Sequence, residues 1–299
     1  MTTQVQAVDQ GNWFKRRAKS WRRVFLDVGM TALTVVSSLF AIFVLALILY
    51  YVFTRGIERL NWQALTQLPP PPGDQVGGFG NAVLGTIIVV SIAIAITFPI
   101  GLFAAIYLSE FGQNRPIASF LRFIIKVLTG VPSIIAGVFA YGVLVLSTKT
   151  FSALAGGVAL SVLTLPIIIL SCEEALRLVP ADTRAAAYAL GASRVQTVFR
   201  VVLPAALPVI LTGVTLAIAR AAGETAPLIF TALFSFLWPS GLLKPVASLA
   251  VLIYNFALVP FENQQKIAWG GALALVILVL ITTVSFRLIV SRRQETITI

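Results

Sequence analysis

Histidine is absent from this sequence, and cysteine occurs once, at Cys172. These shortages exclude intramolecular disulfides, haem attachment and the usual His/Cys metal sites. Ser-His-Asp and Cys-His nucleophilic catalysis are excluded too, since both need an imidazole. Charge is scarce: 11% of the residues are Asp, Glu, Lys or Arg, against roughly 25% in soluble domains. No phosphate loop of the GxxxxGKS/T form is present, so the chain has no such route to binding and splitting a nucleotide. Energy for vectorial work must come from an ion gradient or a partner.

What fills the sequence instead is apolar. Of 299 residues, 58% are hydrophobic and mean hydropathy is +0.95, a balance that places the chain in lipid. Uncharged runs lie at 28–54, 75–109, 127–148, 150–172, 201–219, 225–243, 245–261 and 267–286; a bilayer core takes about 20 apolar residues in a helix. Gly77, Gly78 and Gly80 delay the second helix to about Asn81. Pro239, Gly241, Pro245 and Pro260 make 236–261 a loop able to dip into the membrane.

The expected fold is all-α and integral to a membrane, with six transmembrane helices near 28–54, 81–108, 119–147, 151–172, 205–230 and 266–289. A basic N-terminus (1–27) precedes an anchor helix (28–54), a Pro/Gly-rich outer loop (55–80), a transmembrane domain (81–290) and a tail (291–299). The anchor's 27 uncharged residues exceed the roughly 7–15 of a signal-peptide core, and no Ala-x-Ala site follows, so it reads as uncleaved. The run Pro69 to Gly73 reads as a stiff tether without a fold of its own. Pro132 and Pro166 are expected to kink spans three and four.

Six spans put both termini on one side, and 16 of the 22 basic residues then fall on that side: Lys15 to Arg23, Arg115, Arg122, Lys126, Arg177, Arg184, Arg194, Arg200, Arg287, Arg292 and Arg293 among them. Opposite lie Arg55, Arg59, Lys149, Lys244 and Lys266, with Arg220 inside the membrane. Both termini are therefore expected in the cytoplasm. The net charge of +11 is a topology signal, and no nucleic-acid partner is expected.

Arg220 and Glu224 interrupt an otherwise apolar stretch. On a helix starting near Ala205, Arg220 lies about 22 Å along it, inside the hydrocarbon, where arginine costs about 2.5–3.5 kcal/mol on insertion scales. Glu224, four residues on, shares its helix face, and Thr225 adjoins the pair. Two readings stand: a static ion pair holding helices together, or a cationic station for a small anion with Glu224 as its resting partner. A guanidinium fork suits a tetrahedral oxyanion and stays charged at physiological pH. Ala217 with Ala221, and Ala219 with Gly223, permit close helix approach.

Between spans four and five, Asp182 or Thr183 is expected to cap a short alanine-rich helix, Gly191 to end it in the left-handed conformation, and Ser193 to cap a second helix. Here Ala186-Ala187, Gly191, Val201 and Leu203-Pro204 fall in the register of the EAA loop, and the segment resembles that loop of binding-protein-dependent ABC importer permeases. The loop's usual leading glutamate falls on Ala185, so its contact is absent or supplied otherwise. Ala219 to Leu228 (ARAAGETAPL), Thr129 to Gly137 (TGVPSIIAG) and Ile267 to Gly271 (IAWGG) look like the phosphate-specific permeases of the PstA type, from about residue 78 onward.

The resemblance implies a type I ABC importer permease fold. It also implies a cytoplasmic coupling helix whose contacts with the ATPase fall on Arg184, Ala185, Ala186, Ala187, Leu190, Gly191, Ala192, Leu203 and Pro204. The implied partners are a homologous second permease (PstC type), an ATPase dimer (PstB type) carrying the ATP and Mg, and a periplasmic phosphate-binding protein (PstS type). The chain itself would bind no cofactor. Phosphate would pass Arg220, Glu224 and Thr225. Competing readings are a permease for sulfate or molybdate, a gradient-driven transporter working alone, and a structural scaffold.

Overall fold

The computed structural model describes residues 21–74, 76–113 and 115–297, without the side chains of 23, 24 and 289–297. Lys15, Arg16, Arg17 and Lys19, and the side chains of Arg23, Arg292 and Arg293, which carry part of the expected charge asymmetry, lie outside the described residues.

The chain divides after Tyr51 into two units. The described part of the first is the helix α1 (Trp21–Gly56), whose final turns enter the second unit. Leu33, Phe40 and Leu47 exemplify its exposed apolar surface. The hydroxyls of Thr31, Thr34 and Ser38 donate to carbonyls four residues earlier, at 2.7–2.9 Å. Such back-bonding keeps polar groups satisfied within the helix, as lipid requires.

The second unit continues through a 3₁₀ turn (Ile57–Arg59), α2 (Trp62–Thr66) and α3 (Gly80–Ile106), which a π turn (Tyr107–Phe111) prolongs. Then come α4 (Pro116–Thr129), α5 (Ser133–Ala140), a π turn (Tyr141–Val145), α6 (Leu146–Thr148) and α7 (Ala153–Arg177). Next are α8 (Ala181–Ala189), α9 (Arg194–Thr197), a π turn (Val198–Val202) and α10 (Leu203–Gly223). The last elements are α11 (Ala226–Thr231), α12 (Leu249–Ala257) and α13 (Glu262–Ile297). Among the described residues, five continuous stretches are long and apolar enough to cross a membrane: Phe25–Arg59, Gly80–Phe111, Ala153–Arg177, Arg194–Gly223 and Glu262–Leu288. A sixth arises if the bent pair Pro116–Thr129 and Ser133–Thr148 counts as one span.

Small residues let the central helices meet. A Cβ on Gly157 would stand 2.3 Å from an Ile92 side-chain carbon, and one on Gly101 2.7 Å from Ile168, so α3 and α7 approach closely at both points. α10 packs on the same pair, and Ile106, Ile168, Leu176, Val198, Val202 and Ile210 form one apolar core. A second core joins Val89, Leu160, Ala221, Leu228 and Val251.

The third span is not one continuous helix: its two halves meet at 102° across Gly130, Val131 and Pro132. Pro132 is the N-cap of α5, with φ −58°, where its missing N–H breaks no helical bond. Pro166, by contrast, lies inside an uninterrupted α7, as Pro99 does in α3 and Pro208 in α10. Segment 236–261 is not merely a loop. It contains α12, whose first N–H groups are served by side chains: Leu249 donates to Thr86 Oγ1 at 2.8 Å and Val251 to Ser248 Oγ at 3.4 Å. Its prolines flank the helix instead of entering it, and nine residues span only about 13 Å.

The 55–80 segment has structure of its own. Asn61 caps α2, accepting from the Ala64 N–H at 2.7 Å, and Pro69 and Pro70 are buried. Gln264 donates to the Pro70 carbonyl at 3.2 Å, and Phe79, wholly buried, packs with Leu249, Leu252 and Ile267.

Candidate functional site

α10 ends at Gly223, and Glu224, its C-cap, is extended (φ −73°, ψ 124°). The helix resumes as α11 at Ala226 with Pro227 in its first turn. The expected single helix 205–230 is therefore broken at 224–225. A proline at 227 cannot donate to the Gly223 carbonyl and would clash with it in a continuous helix. The preceding stretch is longer than expected, running unbroken from Arg194, so Arg220 stands about 39 Å along it. It lies in the final turn, where unpaired carbonyls and the negative end of the helix dipole favour a cation.

Arg220 Nε lies 3.5 Å from Glu224 Oε1, with the arginine side chain 57% exposed and the glutamate 17%. The pair forms across the helix end instead of along one helix face, and it is long for a charge-assisted hydrogen bond. No other ion pair or hydrogen bond to Arg220 occurs among the described residues. A guanidinium has five N–H donors, so donors remain for a ligand. Thr225, half-buried, follows directly at the break.

The rest of α10 explains the exposure. Ala205, Val209, Thr212, Leu216 and Arg220 recur at helical spacing and are all exposed, whereas Ala206, Ile210, Gly213, Val214, Ala217 and Ala221 are buried. Arg220 is thus the charged end of an otherwise uncharged outward stripe. Behind it, two of the quoted motifs meet, because α5 of TGVPSIIAG packs on α11 of GETAPL, with Gly137 against Pro227. The third, IAWGG, lies elsewhere: Ile267 is buried with Phe79 and Leu252, and Gly271 faces Leu252. A cavity of about 670 Å³ between α3, α10 and α13 is lined by Ser91, Ile94, Ile218, Ala222, Val279 and Thr282, among others, with no charge. An anion would lose its hydration there without compensation.

The 180–204 segment forms a second cluster. Pro180, not Asp182 or Thr183, caps α8, and no side chain bonds to the cap; a proline just before a helix sets its entry direction without needing an N–H. Gly191 adopts φ +83°, and Ser193 closes a capping box with Gln196. Ala185, Ala186, Leu190 and Gly191 are exposed and Ala192 half-buried. Leu190 is 89% exposed, with Tyr188 exposed beside it. Ala187 is buried, and Leu203 packs partly into the core that contains Ile210. Pro204 is exposed at the start of α10.

Arg184 also turns inward. Its Nη2 donates to Glu110 Oε1 at 2.7 Å and its Nε approaches Oε2 at 3.4 Å. Further bonds reach the carbonyls of Leu176 (2.8 Å), Val179 (2.6 Å) and Pro180 (3.4 Å). Arg194 donates to the Glu110 carbonyl, and its guanidinium carbon lies 5.0 Å from the Phe111 ring centroid. A second buried acid, Glu173, accepts from Arg122 at 2.9 Å and from Arg177 at 2.6 Å, while Arg122 also donates to the Leu108 carbonyl at 2.7 Å.

Glu110 and Glu173, exposed by only 6% and 5%, were not among the residues singled out in the sequence. The signal that could have found them is positional: Glu110 ends the second apolar run and Glu173 the fourth, and a carboxylate packed there needs a cationic partner.

Comparison with known proteins adds context to this geometry. The family described as "Binding-protein-dependent transport system inner membrane component" matches residues 97–295. The chain is 39% identical over 281 residues to a Yersinia pestis protein named "Phosphate transport system permease protein PstA", covering 94% of this chain and 95% of that one. A Haemophilus influenzae protein of the same name is 38% identical, covering 92% and 96%. A "Probable phosphate transport system permease protein PstA" from Methanocaldococcus jannaschii is 34% identical, covering 84% and 88%. Among solved structures, a chain of an inward-facing MetNI methionine ABC transporter aligns with TM-score 0.58 and 21% identity over 71% of this chain and 92% of that one. A chain of a bacterial alginate ABC transporter bound to a periplasmic protein aligns with TM-score 0.59 and 14% identity over 94% and 98%. These likenesses establish the fold of a type I ABC importer permease.

Proposed function

Since the chain belongs to the binding-protein-dependent transport system inner membrane component family, and within it to the PstA phosphate permeases, we propose that it forms half of the pathway of an ATP-driven phosphate importer. The observation that carries this reading is Arg220. It stands on the outward stripe of α10, held loosely by one carboxylate and with donors unspent. Phosphate in transit would take those donors, and Glu224 would resume the pair after release. An arginine fork presents two parallel N–H groups to an oxyanion.

The remaining parts of the machine would come from other chains. A homologous second permease would cover the exposed stripe of α10 and complete the pathway. A periplasmic phosphate-binding protein would deliver the anion. Two copies of an ATPase would bind ATP and Mg and receive the exposed Tyr188 and Leu190 of the 180–204 segment in a groove. This chain would then be a transport subunit without catalysis of its own. Multiple apolar helices and the family place it in the inner membrane as a multi-pass protein. The basic residues on the α4, α7 and α9 ends support cytoplasmic termini.

The test is uptake of labelled phosphate and labelled sulfate in cells lacking the endogenous permease, with the partner subunits supplied and the chain compared with Arg220→Gln at matched membrane levels. Phosphate uptake that the variant loses is the expected result. Uptake of sulfate alone would overturn the substrate, and phosphate uptake undiminished by Arg220→Gln would overturn the arginine's role.

A further inference from the structure

α8 is poorly held by apolar packing, since Ala187 is its one buried residue. A nine-residue helix is marginal on its own, and this one lacks a side-chain N-cap. Its attachment to the ends of α3 and α7 is polar. Arg184 joins the Leu176 carbonyl in the last turn of α7 and the Val179 carbonyl just beyond it to the Glu110 carboxylate, in the π turn that prolongs α3. Arg194, beyond the Gly191 turn, reaches the backbone carbonyl of the same residue. Both helices of the segment therefore converge on Glu110.

The carboxylate is buried and takes both ends of the guanidinium fork, with Ser109 Oγ 3.2 Å from Oε1. Charge-assisted bonds of this kind fix orientation as well as distance. Glu110 sits in a π turn, an insertion that interrupts regular helical bonding, while α3 behind it is clamped along its length on α7. A displacement of the exposed Tyr188 and Leu190 face thus reaches α3 through a charged joint, while α8 also contacts the Val198–Val202 turn below α10.

We propose that Glu110 is the positioning residue through which movement of α8 is passed to α3. This rests on the importer reading above. Glu110 touches neither the anion nor the ATPase; it acts by holding Arg184.

The experiment uses the chain assembled with its second permease and ATPase in proteoliposomes, with phosphate-loaded binding protein, comparing wild type, Glu110→Gln and Glu110→Asp. ATPase retention, basal hydrolysis and phosphate moved per ATP hydrolysed are read together. Glu110→Gln keeps the shape and removes the charge. It should retain the ATPase and basal hydrolysis while phosphate moved per ATP falls by about 10-fold, within the usual range of coupling energies. Glu110→Asp should recover most of that loss. Wild-type coupling in Glu110→Gln would overturn the role, and so would loss of the ATPase or of membrane insertion in both variants, which would make Glu110 a folding residue. If wild-type vesicles respond to loaded binding protein but move no phosphate, the importer reading fails, whatever the variants do.

Discussion

Gly137 lies against Pro227 so closely that a Cβ on the glycine would stand 2.6 Å from the Pro227 Cα. The contact is with backbone, which cannot rotate away, and it joins α5 to the helix that restarts just beyond Arg220 and Glu224. Overpacking of this kind costs typically about 1–3 kcal/mol. Gly137→Ala should therefore lower the melting temperature of the detergent-solubilised complex and reduce phosphate uptake. The control is Gly142→Ala, whose added Cβ meets nothing within 4 Å. Equal behaviour of the two variants would refute the packing argument.

The Arg220–Glu224 pair should matter for transport far more than for stability. Its arginine is largely exposed and its separation is 3.5 Å, and exposed pairs contribute about 0–1 kcal/mol. Glu224→Gln is expected to leave the melting temperature nearly unchanged while altering phosphate uptake. A large loss of stability with uptake per folded molecule preserved would favour the static ion pair.

Glu173 presents the opposite case, a buried carboxylate between a partly exposed Arg122 and an exposed Arg177. Removing the acid leaves cations that water can reach, whereas removing both arginines strands a charge inside. Breaking a buried pair in that way costs about 3–5 kcal/mol. The double variant Arg122→Ala/Arg177→Ala should thus unfold at a lower temperature than Glu173→Gln. The reverse order would mean that Glu173 is not the buried member in solution.

Within the 180–204 segment, inward and outward residues should separate experimentally. Leu190→Asp, on the most exposed apolar side chain there, is expected to reduce co-purification of the ATPase without changing thermal stability. Ala187→Leu should destabilise the segment itself, because Ala187 is buried. Gly191→Val should cost about 1–3 kcal/mol, as a β-branched residue must adopt φ +83° there. Retention of the ATPase by Leu190→Asp at wild-type levels would remove this face from the docking surface.

Much of this architecture is legible without coordinates, for local reasons. A backbone in lipid must satisfy its own hydrogen bonds, so the apolar runs at 28–54, 75–109, 150–172 and 267–286 read as helices wherever they pack. Gly191 and the Ser193 box are equally local, since their geometry is set by residues within three or four positions. The ABC permease fold was likewise readable, from motifs whose spacing survives in this chain. What sequence reading treats alike, the tertiary structure separates. Pro166 lies inside an unbroken helix while Pro132 stands at a 102° bend.

The charged residues divide in the same way. That Arg220 and Glu224 could pair follows from their four-residue separation, and Pro227 accounts locally for the helix ending between them; that the arginine is left outward depends on which face of α10 packs on α3 and α7. That Arg184 faces Glu110, 74 positions away, and that Arg122 faces Glu173, 51 away, was decided by the fold alone. Local bonding closes within a turn or two of chain, and the sequence displays it directly. The burial of a charge and the choice of its partner are settled only when distant helices have met.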